Sequence, residues 1–196
     1  MSFDVRCFLV PARDAVVLVD TGMAGILPGI EAALERVGAA WSDVADVILT
    51  HSHPDHVGGL EEVVRKVPGA RIRIGREDLG SVSSSAPLRS LSEGDRIWGL
   101  QVIETPGHTK GHISLLSHDE GLLFVGDAVG SMGGMVVRPP AAFTADAAMA
   151  EKSLRKLCAL SPARTLFSHG AEVPDAALQI QALLSGQPES LPESGH

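Results

Sequence analysis

Cysteine is scarce in this sequence. Cys7 and Cys158 are its two cysteines, and they lie in apolar surroundings far apart along the chain. Two isolated thiols cannot form the disulfide framework of a small secreted domain, and they lack the spacing of a thiolate metal site. We therefore predict that both are free thiols within the hydrophobic core.

Long apolar runs and basic clusters are also missing. No segment approaches the ~20 apolar residues that a membrane-spanning helix needs. Met1-Ser2-Phe3-Asp4 lacks the basic and apolar regions of a secretion signal. The formal net charge of −8, with no stripe of Lys and Arg, argues against a nucleic-acid surface. The sequence thus predicts a cytoplasmic protein with neither a membrane nor a nucleic-acid partner.

The apolar content is sufficient for one domain. Hydrophobic residues make up 44% of the 196 residues, which can form a substantial core. We assign residues 1–185 to this single domain. Residues 186–196 contain two prolines and few apolar side chains, so we expect a disordered tail that ends at His196. The sequence does not indicate an oligomeric state.

Histidine is concentrated in Thr50-His51-Ser52-His53-Pro54-Asp55-His56, where three imidazoles and one carboxylate fall within six residues. Such side chains suit zinc, iron or manganese. Residues two apart on an extended segment point the same way, so His51 and His53 can bind one metal ion together. Asp55 and His56 come where the chain turns into a helix and can face a second ion. A solvated polar loop is the alternative interpretation, but crowded imidazoles repel once protonated.

Three later segments offer further candidate ligands, each at the end of an apolar run. They are residues 105–112 with His108 and His112, residues 123–127 with Asp127, and residues 166–170 with His169. A two-metal site needs more ligands than one loop supplies. A single histidine of this kind is more often a hydrogen-bonded structural residue, but the recurrence at several predicted strand ends favours ligands.

The whole pattern, His-x-His-x-Asp-His followed by His, Asp and His, resembles the metallo-β-lactamase superfamily. The likeness runs from Asp20-Thr21-Gly22 to His169-Gly170, which is most of the chain. It implies two metal ions, with two Zn²⁺ expected and Fe or Mn as alternatives. The implied ligands are His51, His53 and His108 for the first ion, Asp55, His56 and His169 for the second, and Asp127 as a bridge between them.

The resemblance also implies supporting and catalytic roles. Asp20, Thr105 and His112 would orient the ligands by hydrogen bonds, as residues around a metal site commonly do. Asp55 and Asp127 would in addition be catalytic, because they could orient a hydroxide activated by two metal ions or pass a proton to the leaving group.

Short apolar runs alternate with amphipathic segments, which predicts a mixed α/β layered fold. Strands are predicted at residues 5–10, 15–20, 44–50, 70–74, 95–98, 100–104, 112–117, 121–125 and 164–167. Helices are predicted at residues 26–37, 57–67, 144–160 and 174–184. The resemblance makes the fold specific: a four-layer αββα sandwich with the metal ions at one edge between the sheets.

Local composition gives four more predictions. Residues 81–92 are rich in serine and predict a mobile loop. Residues 128–143 mix glycines with apolar side chains and predict a long loop, either the lip of a pocket or a subunit contact. Thr144 is the predicted N-cap of the third helix. Gly58-Gly59 would weaken the second helix, so we expect these glycines to allow close approach of the backbone to the metal loop.

The resemblance implies a metal-dependent hydrolase acting on an ester, thioester, lactone or amide of a small molecule. The sequence has no tyrosine, so it is a poor match to acyl-homoserine lactonases, which use a pocket tyrosine as an oxyanion donor. The metal motifs are similar to those of glyoxalase II enzymes, but the chain ends before their C-terminal helical domain. A short glyoxalase-like thioesterase remains open.

Three alternatives use the same motifs. A mono-iron dioxygenase of the persulfide type would need only His51, His108 and Asp127. A diiron oxygen or nitric-oxide reductase usually has Glu where His53 stands, and also a flavin domain, so it fits less well. The third alternative is a non-catalytic protein that keeps its metal ions for structure.

Overall fold

The computed structural model describes residues 5–186 of the 196. The predicted disordered tail at residues 186–196, with His196, lies outside the described residues except for Gly186. Among the helices of residues 5–186, none combines the length and apolar composition needed to cross a bilayer.

The first sheet contains five strands: β1 (Phe8–Ala12), β2 (Ala15–Val19), β3 (Val44–Leu49), β4 (Arg71–Gly75) and β5 (Leu88–Leu91). They lie side by side in this order; β1 and β2 are antiparallel and the other neighbours are parallel. The continuous apolar runs of β2 and β3 are almost wholly buried. This is expected of strands that are covered on both faces.

Seven further strands follow: β6 (Arg96–Ile97), β7 (Leu100–Glu104), β8 (Ile113–Ser117), β9 (Leu122–Phe124), β10 (Gly130–Met132), β11 (Met135–Val137) and β12 (Arg164–Leu166). Five of them form the second sheet in the order β12-β9-β8-β7-β6. In it β12 is parallel to β9, whereas the other neighbours are antiparallel. The remaining pair, β10 and β11, forms a separate antiparallel ribbon.

The described helices are α1 (Leu27–Arg36), α2 (Pro54–Val57), α3 (Leu60–Lys66), α4 (Ala147–Cys158) and α5 (Ala176–Leu184). Side chains of α1 and α3 pack on one face of the first sheet, and those of α4 and α5 pack on one face of the second. A third cluster joins the two sheets, with Val19 and Ile48 against Leu115 and Phe124. The predicted four-layer αββα sandwich is therefore confirmed.

Both cysteines are free thiols, as predicted, and each is partly buried at the margin of a core cluster. Cys7 packs against the core of the first sheet and Cys158 against that of the second. Burial raises the pKa of the Cys7 thiol to about 12, with a further contribution from Asp20. Cys7 is thus an unreactive packing residue.

Apart from the second helix, three local predictions differ from the structure. Residues 81–92 are not a loop throughout, because they contain β5 at the edge of the first sheet. Residues 128–143 are not a single long loop either: they contain the ribbon, whose turn has Gly133 and Gly134 both at positive φ, and a 3₁₀ turn, Ala141–Phe143. Two-residue turns of this kind need positive φ, which glycine adopts without strain.

The N-cap of α4 is Asp146 and not Thr144. The Asp146 side chain accepts a hydrogen bond from the Met149 N–H at 2.9 Å.

The predicted helix at residues 57–67 is interrupted. α2 ends at Val57 and α3 begins at Leu60, with Gly58 and Gly59 between them. A Cβ atom at Gly59 would overlap the carbonyl oxygen of Thr21, so glycine lets the chain pass against the turn that follows β2. The expected close approach is therefore present, but its partner is this turn.

Replacing Gly59 with alanine is expected to lower the free energy of unfolding by about 1–3 kcal/mol, because the added methyl group has to displace backbone. Urea denaturation followed by circular dichroism measures the change. Gly69→Ala is the matched control, since a Cβ at Gly69 meets nothing within 4 Å. Equal stability of the two variants would contradict the prediction.

Candidate metal centre

Loops from both sheets converge at one edge of the sandwich. His51 and His53 follow β3, His108 follows β7, Asp127 follows β9, and His169 follows β12. The edge is held together by backbone hydrogen bonds, such as that from the Ile113 N–H to the Thr50 carbonyl at 2.9 Å. The N-terminal segment closes it, because Val5 forms a β-bridge with His169. The site therefore depends on strands from the whole length of the chain.

The first group of side chains is His51, His53 and His108, with one potential ligand atom from each lying within 4.8 Å of the others. His53 Nδ1 and His108 Nε2 are 2.9 Å apart. Two imidazole nitrogens on one tetrahedral zinc ion would be about 3.3 Å apart, given its usual bond lengths. This group therefore has nearly the spacing of three ligands to one ion.

The second group is Asp55, His56, Asp127 and His169, again with potential ligand atoms within 4.8 Å of one another. His169 Nε2 lies 3.2 Å from Asp55 Oδ2 and 3.4 Å from Asp127 Oδ2. Asp127 also approaches the first group, since its Oδ2 is 3.4 Å from His108 Nε2. The structure thus brings all seven predicted ligands together, with Asp127 between the two groups.

Several donor atoms in this cluster are buried without a partner. His51 and His56 are fully buried, and His108 and Asp127 nearly so. Within residues 5–186, His51 Nε2, His56 Nε2, His108 Nδ1 and Asp127 Oδ1 have no hydrogen-bond partner. His56 Nε2 and Asp127 Oδ1 are 3.3 Å apart but lack hydrogen-bond geometry. Because an unsatisfied buried polar group costs about 1–3 kcal/mol, a convergent set of such nitrogen and oxygen donors fits divalent metal ions.

The electrostatics of the site favour metal-binding forms at its centre. Burial lowers the pKa of His51 well below its ordinary value, and the neighbouring His56 lowers it further. Burial opposes ionisation of Asp127, but contacts with His108, His169 and His56 hold the pKa of its carboxyl well below the usual range. A neutral imidazole beside a carboxylate is the state that binds a metal ion.

Two histidines of the second group have a pKa above the ordinary value for histidine. Burial by itself would lower the pKa of His56, but the carboxylates of Asp20 and Asp127 raise it to about 10. Contacts with Asp127 and Asp55 raise the pKa of His169 to about 10 as well. These protons balance the carboxylates of the metal-free chain and have to leave when a cation takes their place.

Asp20 supports the loop after β3 from beneath. It is fully buried, and its carboxylate accepts the Thr50 N–H at 2.7 Å, the Thr50 hydroxyl at 2.9 Å and His56 Nδ1–H at 2.8 Å. Its φ of 61° is uncommon for a residue other than glycine. The conformation places the carboxylate under the histidine loop, in the supporting position predicted for it.

His112 and Thr105 support Asp127. His112 is almost fully buried, and its Nε2 accepts the Asp127 backbone N–H at 2.9 Å. Its Nδ1 therefore carries the proton and donates it to the Thr105 hydroxyl at 2.8 Å. Burial, assisted by His108, lowers the pKa of His112 to about 3, so the ring is neutral. His112 thus holds the backbone of the central carboxylate and has no free nitrogen for a metal ion.

Comparisons with known proteins agree with this geometry. The family model for the metallo-beta-lactamase superfamily matches residues 3–169. The chain belongs to the metallo-β-lactamase superfamily. The hydroxyacylglutathione hydrolase of Cereibacter sphaeroides is 37% identical over 195 residues, which cover 95% of this chain and 69% of that protein.

Solved structures of the superfamily share the fold. A metallo-beta-lactamase family protein from Thermus thermophilus superposes with a TM-score of 0.76 and 24% identity, covering 93% of this chain and 74% of that one. The protein TTHA1623, solved in a di-iron-bound form, has a TM-score of 0.71 and 27% identity, covering 85% and 88%. Superfamily members bind divalent metal ions, and this chain has the corresponding group of histidines and aspartates.

A cavity of about 330 Å³ opens beside the first group of side chains. His53 and His108 form one wall, and Phe143, Ser81 and Lys110 are among the residues that line the rest. Phe143 is 60% exposed at the rim. Part of the segment 128–143 is therefore a pocket lip, whereas the buried Val136 packs into the core. Whether the segment also contacts another subunit stays a prediction.

Sequence reasoning missed one acidic residue of this superfamily member's site. Asp78, to which the sequence analysis assigned no role, lies in a 3₁₀ turn, Arg76–Ser81. It is 2% exposed and bonded to two ligand loops. The available signal was its position in the sequence, in the turn that follows β4, which is the neighbour of the strand before the histidine motif.

Proposed function

We propose that the protein is a hydrolase with two zinc ions that cleaves a small thioester or a related ester, lactone or amide. The observation that carries this proposal is the convergence of six side chains with nitrogen or oxygen donors around a seventh, Asp127, several of the donor atoms being buried without a hydrogen-bond partner. Superfamily membership and the hydroxyacylglutathione hydrolase relative support a metal-dependent hydrolase.

In this proposal the two groups of ligands have separate ions. His51, His53 and His108 would hold the first ion, Asp55, His56 and His169 would hold the second, and Asp127 would contribute to both sites. When bound, such ions polarise a carbonyl group and supply hydroxide at neutral pH. The di-iron form of a relative keeps iron as an alternative metal.

The chain itself limits access to one side of the centre. The side chains of Asp55 and His169 are 35% and 26% exposed, whereas that of Asp127 is 10% exposed. Asp55 is therefore the better placed of the two proposed catalytic carboxylates to exchange a proton with a leaving group. The hydrogen bond from His169 lowers the pKa of Asp55, so this carboxyl is ionised and could take the proton of the attacking hydroxide and pass it to the leaving group.

The cavity beside His53 sets the size of the substrate. A volume of about 330 Å³ is small for a ligand pocket. Its lining includes the apolar residue Phe143, the hydroxyl-bearing Ser81, the basic residue Lys110 and the acidic residue Glu77. We expect it to bind the polar portion of a compact acyl compound.

The mono-iron dioxygenase alternative uses fewer side chains than the structure assembles. It would need His51, His108 and Asp127 but would give no role to Asp55, His56 and His169, although His169 and Asp55 are 3.2 Å apart. The two-metal hydrolase accounts for both groups and is therefore favoured.

Metal removal tests the proposal. Protein purified without added metal is expected to contain close to two metal ions per chain and to hydrolyse at least one of a hydroxyacyl-glutathione thioester, an aryl ester and a lactone. Treatment with a chelator should abolish hydrolysis, and added Zn²⁺ should restore it, because the proposed nucleophile depends on the ions. Elemental analysis and absorbance assays give both quantities.

Two results would contradict the proposal. Close to one iron per chain, with oxygen uptake on a persulfide, would replace the hydrolase by the dioxygenase. Two tightly bound metal ions without hydrolysis of any of the three compounds would favour the non-catalytic alternative.

A further inference from the structure

Asp78 is a buried carboxylate that belongs to neither group of proposed ligands. It follows β4, the neighbour of the strand that carries the histidine motif. Only 2% of the residue is exposed, and within residues 5–186 it forms no ion pair. A buried carboxylate without a cation is costly unless hydrogen bonds stabilise its charge.

Three hydrogen bonds supply that stabilisation. One comes from the loop after β3 and two come from the loop after β7. Asp78 Oδ2 accepts the Ser52 N–H at 2.9 Å and the Thr109 hydroxyl at 2.7 Å, while Oδ1 accepts the Gly111 N–H at 2.7 Å. Ser52 lies between His51 and His53 in the sequence. Thr109 directly follows His108, so one carboxylate connects the two loops that carry the first group.

The packing around this carboxylate leaves little freedom. A Cβ atom at Gly111 would overlap the backbone and side chain of Asp78, and one at Gly75 would overlap the carbonyl oxygen of Gly111. The loop that carries His108 therefore lies directly on the end of β4 and on Asp78. Because the backbone at Gly111 lies against the backbone of Asp78, a displacement of Asp78 has to move this loop.

We propose that Asp78 is a positioning residue for the first metal ion. Its hydrogen bonds hold the loop after β3 and the loop after β7 at the separation that brings His53 Nδ1 within 2.9 Å of His108 Nε2. Ser52 and Thr109 directly adjoin members of the first group in the sequence, whereas none of its hydrogen-bond partners adjoins a member of the second group. The role is thus selective for one of two neighbouring ions. The inference rests on the proposed two-metal centre.

Asp78→Asn tests the role with little change in size. Asparagine keeps one acceptor oxygen but has an NH₂ donor in place of the other. At least one of the three groups that donate to Asp78 therefore loses its acceptor. We expect the first Zn²⁺ to bind about 10–100-fold more weakly, the usual effect of losing a residue that orients ligands. Competition with a chromophoric chelator measures both zinc affinities without any activity assay, and the second affinity should stay within about threefold of wild type.

Asp46→Asn is the matched control. Asp46 is also a fully buried carboxylate, and it accepts hydrogen bonds from Arg71 at 2.7 Å, Arg73 at 2.5 Å and Trp98 Nε1 at 2.6 Å, away from the ligand loops. Its replacement should lower the free energy of unfolding while leaving both zinc affinities unchanged. A purely structural role of Asp78 would give the same result as this control.

Thr109 provides a second test that does not alter the buried charge. Thr109→Val removes the hydroxyl donor at nearly constant shape, whereas Thr109→Ser keeps the donor. The valine variant should show part of the loss of first-site affinity, and the serine variant should restore it. If Asp78→Asn does not fold, this pair decides the question.

The outcomes separate this inference from the proposed function. Wild-type affinity for both ions in Asp78→Asn and Thr109→Val, or an equal loss at both sites, would overturn the role of Asp78 and leave the hydrolase proposal intact. A wild-type protein that binds no zinc would overturn the hydrolase proposal. Hydrogen exchange of the Ser52 and Gly111 amides in the metal-free protein would still test the connection, since unchanged exchange in Asp78→Asn would contradict it.

Discussion

Replacing His53 with alanine is expected to remove the first metal ion and to lower the rate of hydrolysis by at least about 10³-fold. A bound metal ion contributes several kcal/mol to the stabilisation of a developing charge, and each 1.36 kcal/mol corresponds to a factor of ten. His53 is only partly buried, so its truncation should remove a ligand without disturbing the core. The neighbouring second group keeps its four side chains and should retain its ion.

Metal content and kcat/KM with the best of the three test substrates measure this effect. His118→Ala is the matched control, because His118 is exposed and bonds to Gln101 Oε1 at 2.7 Å in a turn outside both groups. That variant should keep both ions and full activity. Full turnover by His53→Ala with two ions bound would show that His53 is not a ligand.

Replacing Asp20 with alanine is expected to lower the free energy of unfolding of the metal-free protein by about 3–5 kcal/mol, as when one member of a buried ion pair is removed. The change would leave His56, 2.8 Å away, and the Thr50 N–H without their buried acceptor. Alanine would also have to adopt a φ of 61°, a conformation that β-carbon sterics disfavour. Affinity for the second metal ion should fall as well, because His56 would lose its orientation.

Denaturation in urea, with and without a chelator, measures this loss. Asp20→Asn should lose less, since asparagine tolerates positive φ and keeps one acceptor oxygen. Asp14→Ala, in the exposed turn between β1 and β2, controls for removal of an acidic residue. A loss below about 1 kcal/mol for Asp20→Ala would mean that the buried carboxylate is not a support of the site.

The proposed ligand set could be predicted from sequence because its signals are local. His51, His53 and His56 are close together in the chain, and His108 and Asp127 follow apolar runs that are in fact strands. The runs themselves are visible because strands buried on both faces need continuous apolar sequence. The four-layer arrangement, in contrast, came from the resemblance, since periodicity alone indicated only a mixed α/β fold.

The missed features depend on contacts that a local pattern cannot show. β5 has Arg89 and Ser90 exposed at the edge of the first sheet, so its sequence lacks an apolar signal. Gly59 interrupts a helix because of the distant Thr21 carbonyl. The role proposed for Asp78 depends on hydrogen bonds from Ser52 and Thr109, which lie 26 and 31 residues away in the chain. The Gly133-Gly134 turn of the β10–β11 ribbon is the exception, because two glycines between apolar residues are a recognised hairpin signal.

The β-bridge between Val5 and His169 has a consequence for folding kinetics. His169 comes late in the chain, and its segment is held by the pairing of β12 with β9 and by the bridge to Val5, so its place beside the other candidate ligands depends on contacts between distant residues. Contacts between such distant residues carry a high cost of loop closure and are slow to form. Interactions completed after the rate-limiting step of folding slow unfolding and leave the folding rate almost unchanged. Metal ions held at this edge would therefore prolong the lifetime of the finished sandwich without accelerating its assembly.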